Sequence, residues 1–357
     1  MILLTVSVVI SSAITIMYWR QTVTTLAALT LSSQKIWEGF DVAEDVSSNV
    51  NGVYVVGWKF VRSRQTSEAV LAKYDREGNM IWNTTWMEEH GAHGRGISCS
   101  SDGIYVVGTL RNASYITYSY VMKFNDMGEQ VWNKTWDTAR EHSVYATDEA
   151  VYITGAGKLA KLDAYGNQLW ERTVSGSALE VTSDRIYIAG STGKEATGGS
   201  DAFLAALDPE GNQIWNTTRE STRGDTATDV CVTQDGVYII GTGTKGWNFN
   251  FITKFDLDGN QLWDKVGGRF RGISFYQGYI YAVGSTGDEP SAFDAFIAQL
   301  DKEGNVIWNT TFGTPDREDN AHGVHADAEG VYVVGTTESD TLWPDRRGFL
   351  QIYKKEK

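Results

Sequence analysis

Seven times along the chain a tyrosine is followed three residues later by a glycine inside an apolar run. The pairs are Tyr54/Gly57, Tyr105/Gly108, Tyr152/Gly155, Tyr187/Gly190, Tyr238/Gly241, Tyr281/Gly284 and Tyr332/Gly335. A tryptophan series keeps step at Trp37, Trp82, Trp132, Trp170, Trp215, Trp263 and Trp308, with spacings of 38 to 50 residues. Self-similarity at that period belongs to arrays, solenoids and propellers. Between the markers lie short β-branched and aromatic runs that end at Gly, Asn or Asp, as in residues 202–208, 213–218, 227–232 and 237–241. Such runs are strands, and Asp-Gly and D-x-x-G-N segments are their turns. Four strands per unit make one propeller blade.

The two ends of the repeat complement each other. The last unit supplies residues 331–335 and 349–353 and then stops without its tryptophan strand, while residues 34–37 form a tryptophan strand with no preceding partner. Docking the first onto the last completes seven blades and removes an open sheet edge. The predicted fold is therefore all-β: a seven-bladed β-propeller of four-stranded antiparallel blades, closed by the N-terminal strand joining the last blade, with one N-terminal hydrophobic helix. The predicted organisation is an anchor or signal segment over 1–20, a tether over 21–33 and the propeller over 34–357.

Residues 1–19 carry no charged side chain and Arg20 follows them. That length nearly spans a bilayer, which needs about 20 apolar residues; an export signal is the other reading. The expectation is an exported, monomeric propeller, held at the cell membrane on its extracellular side or secreted after cleavage. The formal net charge of −14 argues against nonspecific nucleic-acid binding. Five glycosylation sequons begin at Asn83, Asn112, Asn133, Asn216 and Asn309. Four follow a repeat tryptophan and fall in strands, where attachment is expected to be less accessible, which leaves Asn112 in a longer connection as the candidate. Cys99 and Cys231 fall on inner strands of blades two and five, too far apart for a disulfide, and read as free buried thiols.

Three recurring elements, D-A-F as in Asp201-Ala202-Phe203, D-x-x-G-N, and Y-V-x-G as in Tyr332 to Gly335, resemble the SBBP repeats, the seven-bladed β-propeller repeat family, over residues 34–353. That resemblance implies a secreted or surface-exposed propeller without an assigned catalytic set. The spacing of Asp163, Gly166 and Trp170 is also similar to the tryptophan-docking motif of quinoprotein (PQQ-like) propellers. Those enzymes use a vicinal cysteine pair at the quinone, which this chain lacks, so no cofactor is expected.

Alternate turns of a blade open on one face. The A–B and C–D turns are uniformly short, whereas the B–C and D–A connections are long and variable, and variable loops on a rigid scaffold carry binding residues. Trp58, Tyr115, Tyr118, Trp247, Phe249 and Trp343 lie there outside the repeated core positions and are candidates to contact a protein or glycan. The repeat tryptophans, by contrast, read as core staples. Aligning inner strands on their tyrosines gives a ring at the central mouth: Glu44, Arg95, His142, Ser177, Thr228, Arg271 and His322. The ring either binds an anionic group or forms a solvated collar whose charges pair with Asp45, Glu141 and Asp229.

No metal site is expected: His90/His93 and His322/His325 are not on helices, where that spacing would align them. The stretch from Asp256 to Asn260 lacks the remaining ligands of a calcium loop and reads as a turn. Nucleophile-elbow, P-loop and dinucleotide motifs are absent. The expected function is noncatalytic recognition of a protein or glycan at the cell envelope through the loop-rich face. The alternative is a lyase or hydrolase built at the mouth around Arg95, His142, Arg271 and His322.

Overall fold

A computed structural model describes residues 29–36, 39–136, 141–155, 157–174, 176–192, 200–219, 224–243, 250–286, 293–314, 316–338 and 346–355. The described residues contain 28 strands and no helix. They form seven four-stranded sheets, six of them running in chain order from inner to outer strand. Blade one holds strands Val42–Asn49, Gly52–Val61, Thr66–Tyr74 and Met80–Trp86, every neighbouring pair antiparallel. The seventh sheet closes the ring, because strand Leu29–Ile36 pairs antiparallel with Arg346–Lys355 from Leu29↔Lys355 to Ile36↔Phe349. This closing strand begins inside the segment read as tether. The predicted hydrophobic helix and anchor lie outside the described residues, as does Trp37.

The apolar runs around each tyrosine are continuous because the second strand of every blade is buried on both sides. In blade one Tyr54 and Val56 pack against Ile97, Ile104 and Val106 of blade two, while Val53 and Val55 pack against Tyr332 and Val334 of blade seven. Side chains alternate across a strand, so one strand serves two inter-blade cores. The seven repeat tyrosines are all buried.

The repeat tryptophans are not, which corrects their reading as core residues: Trp82, Trp132, Trp170, Trp215 and Trp263 are half-buried. Each lies on the turn glycine of the next blade, so that a Cβ on Gly128, Gly166, Gly211, Gly259 or Gly304 would fall 2.6–3.0 Å from an indole carbon. Those glycines have φ between +72° and +89°, a region that costs any other L-residue. The indole N–H groups of Trp82, Trp132 and Trp215 donate to the carbonyls of Asp126, Ala164 and Leu257 at 3.0–3.1 Å. A tilted contact to the buried tyrosine, for example Tyr187–Trp215 at 6.1 Å, completes the staple. Asp256 is a turn-former, accepting the N–H groups of Asp258 and Asn260 at 2.9 and 2.8 Å.

Candidate functional site

In five of the seven blades the glycine of the Tyr-x-x-Gly repeat positions the mouth. In blades one, two, five, six and seven, a Cβ on Gly57, Gly108, Gly241, Gly284 or Gly335 would lie 1.8–2.1 Å from an inner-strand carbonyl oxygen. Those carbonyls belong to Val42, His93, Thr226, Arg269 and Asn320. Two residues further on, every one of these inner strands has a register shift at which one residue is left out of the pairing. The residues left out are Glu44, Arg95, Thr228, Arg271 and His322; blade three has the same irregularity at His142. A bulge bends the strand and re-aims the extra side chain. The ring predicted from alignment is thus a ring of six bulge residues. Blade four has a regular inner strand, Ala178–Val181, and Ser177 precedes it.

Four of the six, Glu44, Thr228, Arg271 and His322, line one cavity of about 660 Å³, together with Arg269 and Phe270. Thr242, Asn250 and Ser285 supply further polar lining. Arg95 reaches the same rim from blade two, where its Nη1 donates to Glu44 Oε1 at 2.9 Å. The Nε1 of Trp58 donates to the same oxygen at 3.1 Å. His93 stacks on the Trp58 indole at 4.7 Å. One loop-face candidate, two mouth candidates and a histidine from the next blade therefore form a single cluster. His322 contacts the Ala43 carbonyl through Nδ1 at 3.1 Å. Burial, with Arg271 nearby, pulls its pKa down to about 4; burial and then Arg95 do the same to His93. Both imidazoles are neutral at pH 7, so the mouth's charge comes from Arg95, Arg269 and Arg271 against Glu44.

Asp45 and Asp229 do not pair with the collar, contrary to the sequence expectation. Asp45 accepts the N–H of Val46 at 2.8 Å and that of Ile97 in the next blade at 2.9 Å. Asp229 bonds Val230 and Ile273 in the same way, at 2.9 Å each, and Glu180 accepts Val232 N–H at 2.8 Å. These carboxylates latch adjacent inner strands. Burial pushes Asp45 and Asp229 up to about 7 and Glu180 to about 8. The side chains of Glu141 and His142 lie outside the described residues.

On the outer part of the face, exposed Tyr115 sits at φ +60° and stacks on His90 at 3.8 Å. Tyr118 is half-buried, and burial with a hydrogen bond to Glu88 raises its hydroxyl pKa to about 12. Trp247, Phe249 and Trp343 lie outside the described residues. His90 and His93 thus serve two different stacks, and among the described residues no group of three or more His, Cys, Asp or Glu is placed to hold a metal. Cys99 and Cys231 are free, in separate blades, and do not fit a quinone site that needs adjacent cysteines. Sequon accessibility runs opposite to the expectation: Asn83, Asn133, Asn216 and Asn309 are exposed on outer strands. Asn112 is half-buried, and its carboxamide oxygen accepts the N–H groups of Ser114 and Ile116 at 3.0 and 3.1 Å.

Sequence reasoning missed the Trp58–His93 stack and the Asp45, Glu180 and Asp229 latches. Both are contacts between consecutive blades. The repeated inner-strand pattern carried a signal for the latches, since Asp45 and Asp229 occupy the same position of their blades.

The profile of the PQQ-like family described as outer membrane protein assembly factor BamB matches residues 67–310. No curated protein sequence matches the chain. Among solved structures, the β-propeller domain of the trilobed protease from Pyrococcus furiosus is similar at 11% identity and TM-score 0.53, covering 93% of this chain and 96% of that one. The quinohemoprotein alcohol dehydrogenase ADHIIG of Pseudomonas putida is similar at 10% identity and TM-score 0.52, covering 92% and 76%. The endosialidase of phage phi92 is similar at 8% identity and TM-score 0.54, covering 93% and 69%. At these identities the likeness is one of fold.

Proposed function

The chain belongs to the PQQ-like family of outer membrane protein assembly factor BamB, and from that premise we propose a noncatalytic propeller that binds a protein or glycan partner at the cell envelope. Residues 1–19 tether it to the membrane or direct its export. The likeness of its D-A-F and Y-V-x-G segments to the SBBP repeats belongs to the same reading, as does a monomeric ring outside the cell. The observation that carries the proposal is the convergence of Trp58, Glu44, Arg95 and His93 beside a cavity framed by bulge residues. An indole, a guanidinium and a carboxylate held by one another on rigid strands make a preorganised recognition surface.

The alternative, lyase or hydrolase chemistry at the mouth, needs a general acid and base. His322 lines the cavity but is held neutral, which suits an acceptor and not an acid at pH 7.

The test is capture from envelope extract by the detergent-solubilised full chain, compared with a Trp58→Ala/Trp247→Ala/Trp343→Ala variant. A partner retained by the parent and lost by the variant supports recognition through this face. Equal retention by both removes the face from the proposal.

A further inference from the structure

The cavity at the mouth has a chemical character of its own. The chain carries a formal charge of −14, yet two arginines, Arg269 and Arg271, line this one space. The carboxylate that shares it, Glu44, is already engaged by Arg95 at 2.9 Å and by the Trp58 indole at 3.1 Å. His322 adds no charge at pH 7. Arg271 therefore brings an exposed positive charge into this space in an acidic protein.

Both arginines are placed by the fold. Arg271 is the unpaired residue of the blade-six bulge, and its side chain is exposed toward the mouth. The Arg269 guanidinium lies 3.8 Å over the Phe293 ring, which fixes its plane. The rest of the lining is neutral and hydrogen-bonding: the hydroxyls of Thr228, Thr242 and Ser285 and the carboxamide of Asn250, with Phe270 as an aromatic surface. A volume of about 660 Å³ falls within the range of small-molecule sites, roughly 300–1,000 Å³.

We propose that this cavity binds a sugar bearing an oxyanion, either a carboxylate or a phosphate. The exposed Arg271 guanidinium matches the planar, bidentate geometry of both anions. Thr228, Thr242, Asn250 and Ser285 match the hydroxyls of the sugar body, and Phe270 offers a ring for its apolar face. The inference rests on the mouth being a recognition site and names the ligand class for it.

The test is calorimetric titration of the full chain in detergent with glucuronate, glucose 6-phosphate, glucose and inorganic phosphate, on the parent and on Arg271→Gln. Arg271 is exposed, so the variant should fold, and its melting transition checks this. Expected is binding of glucuronate, glucose 6-phosphate or both, weakened about tenfold or more by Arg271→Gln and at least tenfold weaker for glucose. The preferred anion tells a carboxylate site from a phosphate site. Binding of none of these ligands overturns the proposal, as does affinity unchanged in Arg271→Gln or equal for glucose. Phosphate binding as tightly as glucose 6-phosphate overturns the sugar part. Repeating the envelope capture with Arg271→Gln separates this inference from the wider one: a partner still held while sugar binding is absent leaves recognition by the face standing.

Discussion

Replacing Gly284 with alanine tests the link between the repeat glycine and the mouth. The added Cβ would stand 1.8 Å from the Arg269 carbonyl oxygen, 2.7 Å from its carbon and 3.1 Å from the Phe270 Cα. All three are backbone atoms, so no side-chain rotation relieves the clash. Real contacts of this kind lie beyond about 3 Å, and the inner strand must therefore move by about 1 Å or more just where the Arg271 bulge begins. Overpacking a well-packed site costs about 1–3 kcal/mol and sometimes more; this backbone clash belongs at about 3 kcal/mol. The smaller unfolded-state entropy of alanine offsets only about 0.4–1 kcal/mol of that. The assay is urea unfolding followed by tryptophan fluorescence, with Gly39→Ala as control, because nothing lies within 4 Å of a Cβ there. The control should stay within about 0.5 kcal/mol of the parent. If Gly284→Ala unfolds at the same urea concentration as the control, the glycine does not make room for the bulge and the account of the mouth fails.

Trp215→Ala should cost about 2–3 kcal/mol by urea unfolding, below the 3–5 kcal/mol typical of a wholly buried aromatic, because the indole is half-buried and acts through its bond to Leu257 and its seat on Gly259. Arg219 binds Asp264 through two bonds of 2.7 Å and Asp225 at 2.6 Å; Arg219 and Asp225 are buried and Asp264 is half-buried. Arg219→Ala takes the cation from both carboxylates, leaves Asp264 the Thr253 hydroxyl, and should destabilise by about 3–5 kcal/mol in the same assay through the buried Asp225. Asp45, Asp229 and Glu180 have folded pKa values raised to about 7, 7 and 8, so the folded state holds more protons than the unfolded one between about pH 4 and 8. Stability from these groups therefore falls as pH rises through that window. His93 and His322, lowered to about 4, act in the opposite sense, losing stability as pH falls below about 6.5. Between about pH 6.5 and 8 the carboxylates stand alone, and the urea midpoint should decline there with a shallower slope in Asp45→Asn/Asp229→Asn.

The seven blades were legible because each tyrosine strand is buried on both sides, which turns its whole run apolar and leaves a signal that survives duplication. The mouth ring was legible for a related reason: the same glycine that marks the repeat admits the bulge, so counting from the tyrosine finds Glu44, Arg95, Thr228, Arg271 and His322. Burial of the tryptophans was misjudged, since a residue repeated as strictly as Trp215 looks like core although its role is to clasp a neighbour at the outer edge. The Trp58–His93 stack joins residues whose spacing follows no local period. Whether Asp45 answers a collar arginine or the Ile97 N–H depends on where a bulge turns the chain, which composition does not record.

The pairing of Leu29–Ile36 with Arg346–Lys355 sets an order of events during synthesis. A chain made from its N-terminus can assemble blades one to six as each emerges, every sheet being drawn from one continuous stretch. The closing strand is made before all of them and must wait for a partner more than 300 residues later. Until then the facing sides of blades one and seven, which meet in a core containing Val53, Val55, Tyr332 and Val334, have nothing to bury against. The growing ring thus carries its most vulnerable surface at the place where it will finally join, and the interval before the last strand appears is when it depends most on protection from aggregation.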